Sequence, residues 1–112
     1  MKDILNRQAM ENIAFDKGYR VNELAEYLCL NSRQFRYLFE KEIGITPKAW
    51  MKECRVRRGL NMLESGISPD EIWTKLNYSS IGHMANEIKE VVGLSPNEIQ
   101  LSYRLSRGRF LK

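Results

Sequence analysis

Gly44-Ile45-Thr46-Pro47 recurs 49 residues later as Gly93-Leu94-Ser95-Pro96. Phe35, Phe39 and Ile43 recur at the same offset as Met84, Ile88 and Val92. Upstream of a short turn the offset is 48, and Leu24, Leu28 and Leu30 match Ile72, Leu76 and Tyr78. The difference of one residue is absorbed in the second turn, where an insertion disturbs no packing. A repeat of this kind means two copies of one supersecondary unit.

The first copy shows what the unit is. In Asn31–Gly44, NSRQFRYLFEKEIG, residues Phe35, Leu38, Phe39 and Ile43 form one apolar stripe at helical period. Asn31 suits the start of a helix and Gln34 the return position of a capping box. Gly44 suits a left-handed C-terminal stop. The other face carries Arg33, Gln34, Arg36, Tyr37 and Lys41, long donors and an aromatic spaced to project from one side. Just before it, Asn22–Leu30 reads as a second short amphipathic helix with Leu24, Ala25 and Leu28 inward. Helix, tight turn and helix with a basic outer face is the helix-turn-helix pattern.

In chain order, Asp3–Phe15 reads as a first helix with Ile4, Leu5, Ala9, Met10 and Ile13 as its stripe, broken by Asp16-Lys17-Gly18. Thr46-Pro47 opens a fourth helix running to about Glu64, through cap residue and N1 proline. Its expected buried positions are Trp50, Met51, Cys54, Leu60, Met62 and Leu63, and its outer face is basic (Lys48, Lys52, Arg55, Arg57, Arg58). Ser68-Pro69-Asp70-Glu71 carries the capping-box signature for a fifth helix to about Leu76. Ile81–Val92 is the sixth, stopped by Gly93. Ser95-Pro96 opens a seventh to about Tyr103, followed by a frayed basic tail. The expectation is an all-α chain of about seven helices. Within residues 1–112 a first helix-turn-helix lobe (about 3–47) and a second (about 68–103) are joined by a central linker helix (about 48–65).

Charge points to a polyanionic partner. The formal net charge is +4, but residues 31–60 carry +5 and residues 61–100 carry −4, while residues 101–112 are basic again through Arg104, Arg107, Arg109 and Lys112. A basic zone centred on the first helix pair is the electrostatic footprint of a nucleic-acid binder, although a solvated charged surface has the same composition. No apolar run approaches the ~18 residues of a membrane span. No leader pattern is present, so the expectation is a cytosolic chain. Cys29 and Cys54 lack a metal-ligand spacing and read as reduced thiols. His83, the single histidine, has no cluster to join, and its plain reading is structural or backbone-contacting. No phosphate loop, paired-carboxylate site or nucleophile constellation is present, and neither enzymatic chemistry nor a cofactor is expected.

These residues resemble the DNA-binding domain of the AraC/XylS transcription regulators. The matching pieces are ELAEYLCLNSRQFRYLFEKEIGITP, Arg55 with the VRRGLNML run, and EIWTKLNYSSIGHMANEIKEVVGLSP, together covering roughly residues 5–103. The resemblance implies two recognition helices entering successive major-groove segments of double-stranded DNA, and regulation of bacterial transcription, most often activation. Carried onto this chain, the DNA-contacting set is Ser32, Arg33, Gln34, Arg36, Tyr37, Lys41 and Lys48 in the first lobe. In the second it is Ser80, Ile81, Gly82, His83, Asn86 and Lys89. Gln34 can read adenine or complete the cap. The family usually has alanine at Gly59 and Trp73, glycine-phenylalanine at Asn77-Tyr78, phenylalanine at Met84 and Ile88, and often arginine at Asn86. Trp73 is expected to be accommodated in part by the small Gly59. Asn97 and Glu98 stand where the first copy has Lys48 and Ala49, and Glu87 and Glu90 would repel phosphates if they faced DNA. The first lobe should therefore dominate. The expected assembly is a monomer on DNA, matching the short stand-alone members or a piece of a longer regulator. RNA polymerase is a candidate protein partner, and no membrane association is expected. The competing class is a protein-interaction module that docks on RNA polymerase or another regulator with little specific DNA binding.

Overall fold

A computed structural model describes residues 6–110 of the chain. Among the described residues the protein is all-α with seven helices. These are α1 Arg7–Asp16, α2 Val21–Tyr27, α3 Ser32–Ile43, α4 Pro47–Glu64, α5 Pro69–Lys75, α6 Ile81–Val92 and α7 Pro96–Phe110. Tertiary contacts divide it into two units, Met1–Arg55 and Val56–Lys112, and the division falls inside α4.

In the first unit α2 packs on α3. Phe35 and Phe39 are fully buried one helical turn apart, with ring centroids 5.1 Å apart, and Phe39 meets Trp50 of α4 edge-on at 5.4 Å. Edge-to-face geometry suits the quadrupoles of such rings and adds to their burial energy. Met10, Ala14, Tyr19, Leu24, Ala25, Met51 and Cys54 are buried in the same core. Asn31 and Gln34 form a complete capping box at the start of α3: Gln34 N donates to Asn31 Oδ1 at 2.8 Å and Asn31 N to Gln34 Oε1 at 3.0 Å. Gly44 ends the helix at φ 92°, and Gly93 ends α6 at φ 93°. The repeated glycines thus serve the same left-handed stop.

In the second unit α6 packs on α5 and on α7. Its core is Val56, Leu63, Ile72, Leu76, Tyr78, Met84, Ile88 and Ile99. The buried Gln100 of α7 donates through Nε2 to the carbonyls of Leu63 (3.2 Å) and Ile67 (2.9 Å). These groups lie at and just past the end of α4, where carbonyls lack intrahelical partners.

Several expected boundaries change. Asp3, Ile4 and Leu5 lie outside the described residues, and the first helix is Arg7–Asp16, capped by the Asn6 side chain on Ala9 N at 3.1 Å. α2 ends at Tyr27 instead of Leu30, because Cys29 takes φ 58° and Leu30 N turns back to Ala25 O at 3.0 Å. The capping box expected at Ser68 and Glu71 does not form: the Glu71 amide it requires bonds to the carbonyl of Ser68 instead, at 3.0 Å. A box does form at α7, where Ser95 N donates to Glu98 Oε1 (3.1 Å) and Glu98 N to Ser95 Oγ (3.3 Å). α7 continues to Phe110 instead of fraying after Tyr103, since Gln100 and Arg107 both bond to carbonyls around the end of α4. In α4, Leu60 and Met62 are only half-buried, and Val56 is a buried side chain outside the expected set. Gly59 does not make room for Trp73. A Cβ there would meet Leu76 Cδ1 at 3.4 Å and Ile88 Cδ1 at 3.6 Å, both in the second core.

Candidate nucleic-acid interface

The outer face of α3 follows from its inner one. With Phe35 and Phe39 turned into the core, Arg33, Tyr37 and Lys41 fall on the far side at four-residue spacing. Ser32, Arg33, Gln34, Arg36, Tyr37 and Lys41 are all exposed. Tyr37 keeps 67% of its surface in solvent, a large exposure for an aromatic side chain that no other helix covers. Arg36 Nε lies 3.3 Å from Glu40 Oε1, but this is an exposed i,i+4 pair. Such pairs contribute only about 0.3–0.5 kcal/mol, so a phosphate or a base edge can displace the carboxylate at little cost. The Gln34 carbonyl oxygen is committed to the capping box.

The structure brings three of the sequence-selected residues together. Ser32, Arg36 and Lys48 line one open concavity with Val21, Thr46 and Pro47. Val21, Ser32 and Pro47 are the first residues of α2, α3 and α4. Two cations, Arg36 and Lys48, therefore border one depression together with the apolar Val21 and Pro47, where they are open to a phosphate or a base edge. Repeat periodicity alone could not show this, since it needs the α3–α4 turn closed by Thr46, whose Oγ1 accepts from Ala49 N at 3.2 Å.

The rest of the basic zone is less open than its composition suggests. Lys52, Arg55, Arg57 and Arg58 are half-buried and each engages other groups of the protein. Arg55 lies over the Tyr19 ring, 5.7 Å from its centroid.

In the second unit Ser80, Ile81, Gly82, His83, Asn86 and Lys89 are exposed on α6 and its cap. Ser80 Oγ accepts from His83 N at 3.0 Å and is the N-cap. A Cβ on Gly82 would meet only Ser80 Oγ at 3.7 Å, so nothing in the protein requires a glycine there. Glu87 does not face outward with the rest. It is 9% exposed and accepts a hydrogen bond from the Tyr78 hydroxyl at 2.9 Å. The acidic composition of this half thus overstates what a ligand at α6 would meet, and Glu90 is the exposed acid of the pair. His83 turns both ring nitrogens toward protein groups: Nδ1 lies 3.3 Å from Ser79 N and Nε2 lies 3.8 Å from Glu87 Oε2. From the sequence, Tyr78 reads only as the repeat partner of Leu30 and Glu87 only as an acid that would repel phosphates if it faced DNA; their bond to each other and the role of Ser79 beside His83 come from the structure.

A helix-turn-helix whose second helix exposes arginines and a tyrosine, followed in the same chain by a second such unit, defines a double helix-turn-helix DNA-binding domain. The family model for the helix-turn-helix domain matches residues 24–102, and the chain belongs to this family as an AraC-type DNA-binding domain of transcription regulators. The family is not enzymatic. Among curated proteins the chain is 28% identical over 82 residues to the HTH-type transcriptional regulator AlkR of Acinetobacter baylyi, covering 72% of this chain and 27% of that protein. It is 28% identical over 83 residues to the invasion protein InvF of Salmonella typhimurium, covering 73% of this chain and 38% of that protein. The match therefore spans well under half the length of these relatives. Among solved structures, the C-terminal domain of the two-component response regulator yesN from Fusobacterium nucleatum has a TM-score of 0.71 at 17% identity, covering 85% of this chain and 98% of that one. A transcriptional regulator with an AraC-type DNA-binding domain from Chromobacterium violaceum has a TM-score of 0.67 at 22% identity, covering 75% and 76%. At these identities the likeness to solved structures is one of fold. Among the described residues, no helix is long and apolar enough to cross a membrane.

Proposed function

We propose that this AraC-type domain binds a specific double-stranded DNA site as a monomer and activates transcription from it, in the cytoplasm. α3 and α6 enter successive major-groove segments. The first lobe carries most of the reading: Arg33 and Arg36 address base edges, as bidentate partners of guanine. Ser32, Lys41 and Lys48 hold phosphates, and Tyr37 packs against the groove wall. In the second lobe Ile81 and Gly82 offer apolar and close backbone contact, with Asn86 and Lys89 as the polar arm. The observation that carries the reading is the concavity shared by Ser32, Arg36 and Lys48 beside an exposed Tyr37. Arg33→Ala or Arg36→Ala should cost on the order of 1–3 kcal/mol on the specific site while leaving thermal stability unchanged. Equal losses on specific and scrambled duplexes would reduce these residues to phosphate contacts. Scanning base substitutions should show larger penalties in the half-site facing α3. Sedimentation of the saturated complex checks for one chain per site.

A second reading has its own observation. Val91, Val92, Leu94, Leu101 and Leu105 are exposed in the second unit. Side chains of this kind are available to a protein partner such as RNA polymerase or another regulator, which would bind in place of specific DNA. Absence of any sequence-specific complex at low salt would favour docking over DNA reading.

A further inference from the structure

The two capping arrangements are related by the repeat, and they are built differently. Adding 49 to Asn31, Gln34 and Leu38 gives Ser80, His83 and Glu87, and adding 48 to Leu30 gives Tyr78. In the first unit the third residue of the recognition helix, Gln34, accepts through Oε1 from a backbone amide of the turn, Asn31 N, at 3.0 Å. In the second unit the third residue is His83, and its Nδ1 lies 3.3 Å from the amide of Ser79 and 3.1 Å from the Ser79 hydroxyl. An amide can only donate, so in the bond from Ser79 N the acceptor is Nδ1, and in the neutral ring the proton then sits on Nε2; the Ser79 hydroxyl can donate or accept and fits this arrangement as a donor. That side of the ring faces Oε2 of the buried Glu87 at 3.8 Å. The other carboxylate oxygen, Oε1, accepts from Tyr78 at 2.9 Å, which orients the carboxylate. The Tyr78 ring packs edge-on against the imidazole at 5.0 Å and 87°.

We infer that His83 is a positioning residue: it is the acceptor arm of the cap on the second recognition helix, held in the Nε2–H tautomer by the Ser79 amide, with the Tyr78-oriented carboxylate of Glu87 facing the Nε2 side of the ring at 3.8 Å. The imidazole does for α6 what the Gln34 amide does for α3. It sets the start of the helix, and with it the placement of Ile81, Gly82 and Asn86. It is not a base reader. Its effect on DNA rests on the DNA-binding reading above, whereas its tautomer does not.

Two measurements test it. Long-range nitrogen–proton correlation on the free protein should give His83 a pyrrole-type Nε2 and an unprotonated Nδ1. A Nδ1–H tautomer, or an even mixture of the two, would overturn the assignment whatever the protein binds. On the DNA site, His83→Gln keeps an acceptor at the third position and should bind within about twofold of the parent. His83→Ala should bind about fivefold or more weakly, the size of a lost cap. Equal loss in both variants would make the imidazole a direct DNA contact, and wild-type binding by the alanine variant would remove it from helix positioning. If the parent protein shows no specific site, the DNA-binding reading fails and the tautomer alone decides.

Discussion

Cys29 and Asn77 occupy the same left-handed position in the two helix-turn-helix units, at φ 58° and φ 60°. The following residue of each turn returns its amide to the first helix, Leu30 N to Ala25 O at 3.0 Å and Tyr78 N to Trp73 O at 2.9 Å. The turns are thus one structure written with two different residues. A left-handed backbone costs an ordinary side chain roughly 1–2 kcal/mol, and asparagine tolerates it better than most. Cys29→Gly should stabilise the protein by up to about 1 kcal/mol after the added flexibility of glycine in the unfolded chain is subtracted. Asn77→Gly should be close to neutral. Denaturant titration of both variants checks the difference, and an equal response would mean that Cys29 is not strained.

The helical glycines Gly59 and Gly82 should respond in opposite ways to alanine. Gly59 lies inside α4, and an added methyl would reach Leu76 and Ile88 at ordinary contact distance. Gly59→Ala should gain about 0.5–1 kcal/mol of stability from helix propensity, with DNA affinity unchanged. Gly82→Ala should fold as well as the parent but bind DNA more weakly, since the space above it belongs to the ligand in the proposed mode. Parallel melts and binding isotherms separate the two effects.

Gln100 joins α7 to the end of α4 through two carbonyls. Gln100→Leu keeps the volume and removes the donor to both; the Leu63 carbonyl keeps its bond from Gly66 N at 3.1 Å, and the Ile67 carbonyl loses the Gln100 bond. The expected cost is about 1–3 kcal/mol in urea unfolding. Arg107→Ala, which removes an exposed bond to the Glu64 carbonyl, should cost less.

Glu98 supplies a small acid dependence. Hydrogen bonds from the Ser95 backbone, and then from its side chain, hold this carboxyl below its ordinary value. The folded state therefore gains from the ionised form above the unfolded-state pKa, and that gain is lost as pH falls through the lowered value. Thermal melts from neutral to acid pH should show a shallower acid limb for Glu98→Gln, which keeps a capping side chain but does not titrate. Identical limbs would mean that the box contributes nothing measurable.

The double helix-turn-helix was legible in the sequence because its signals are local. The 49-residue repeat, the glycine stops at Gly44 and Gly93, the Asn31 cap and the proline starts at Pro47, Pro69 and Pro96 are each set by backbone preferences within a few residues. The outer face of α3 was equally legible, since helical period places Arg33, Arg36 and Tyr37 opposite Phe35 and Phe39. What the sequence could not show depends on which competing partner a polar group finds. Glu87 reads as an exposed acid from composition; His83, one turn earlier on the same helix, is its local neighbour, and only the fold brings the Tyr78 hydroxyl to it. Ser68 carries a capping-box signature, yet the Glu71 amide bonds to the Ser68 carbonyl, while Ser95 forms a box with Glu98. The C-terminal helix has weak local reasons to persist past Tyr103, and Gln100 and Arg107 supply the reason by bonding to carbonyls 33 to 43 residues earlier in the chain. Backbone preference acts over a turn and is written in neighbouring letters. Hydrogen-bond partnership acts across the core, and it is decided only when packing brings distant residues within 3 Å.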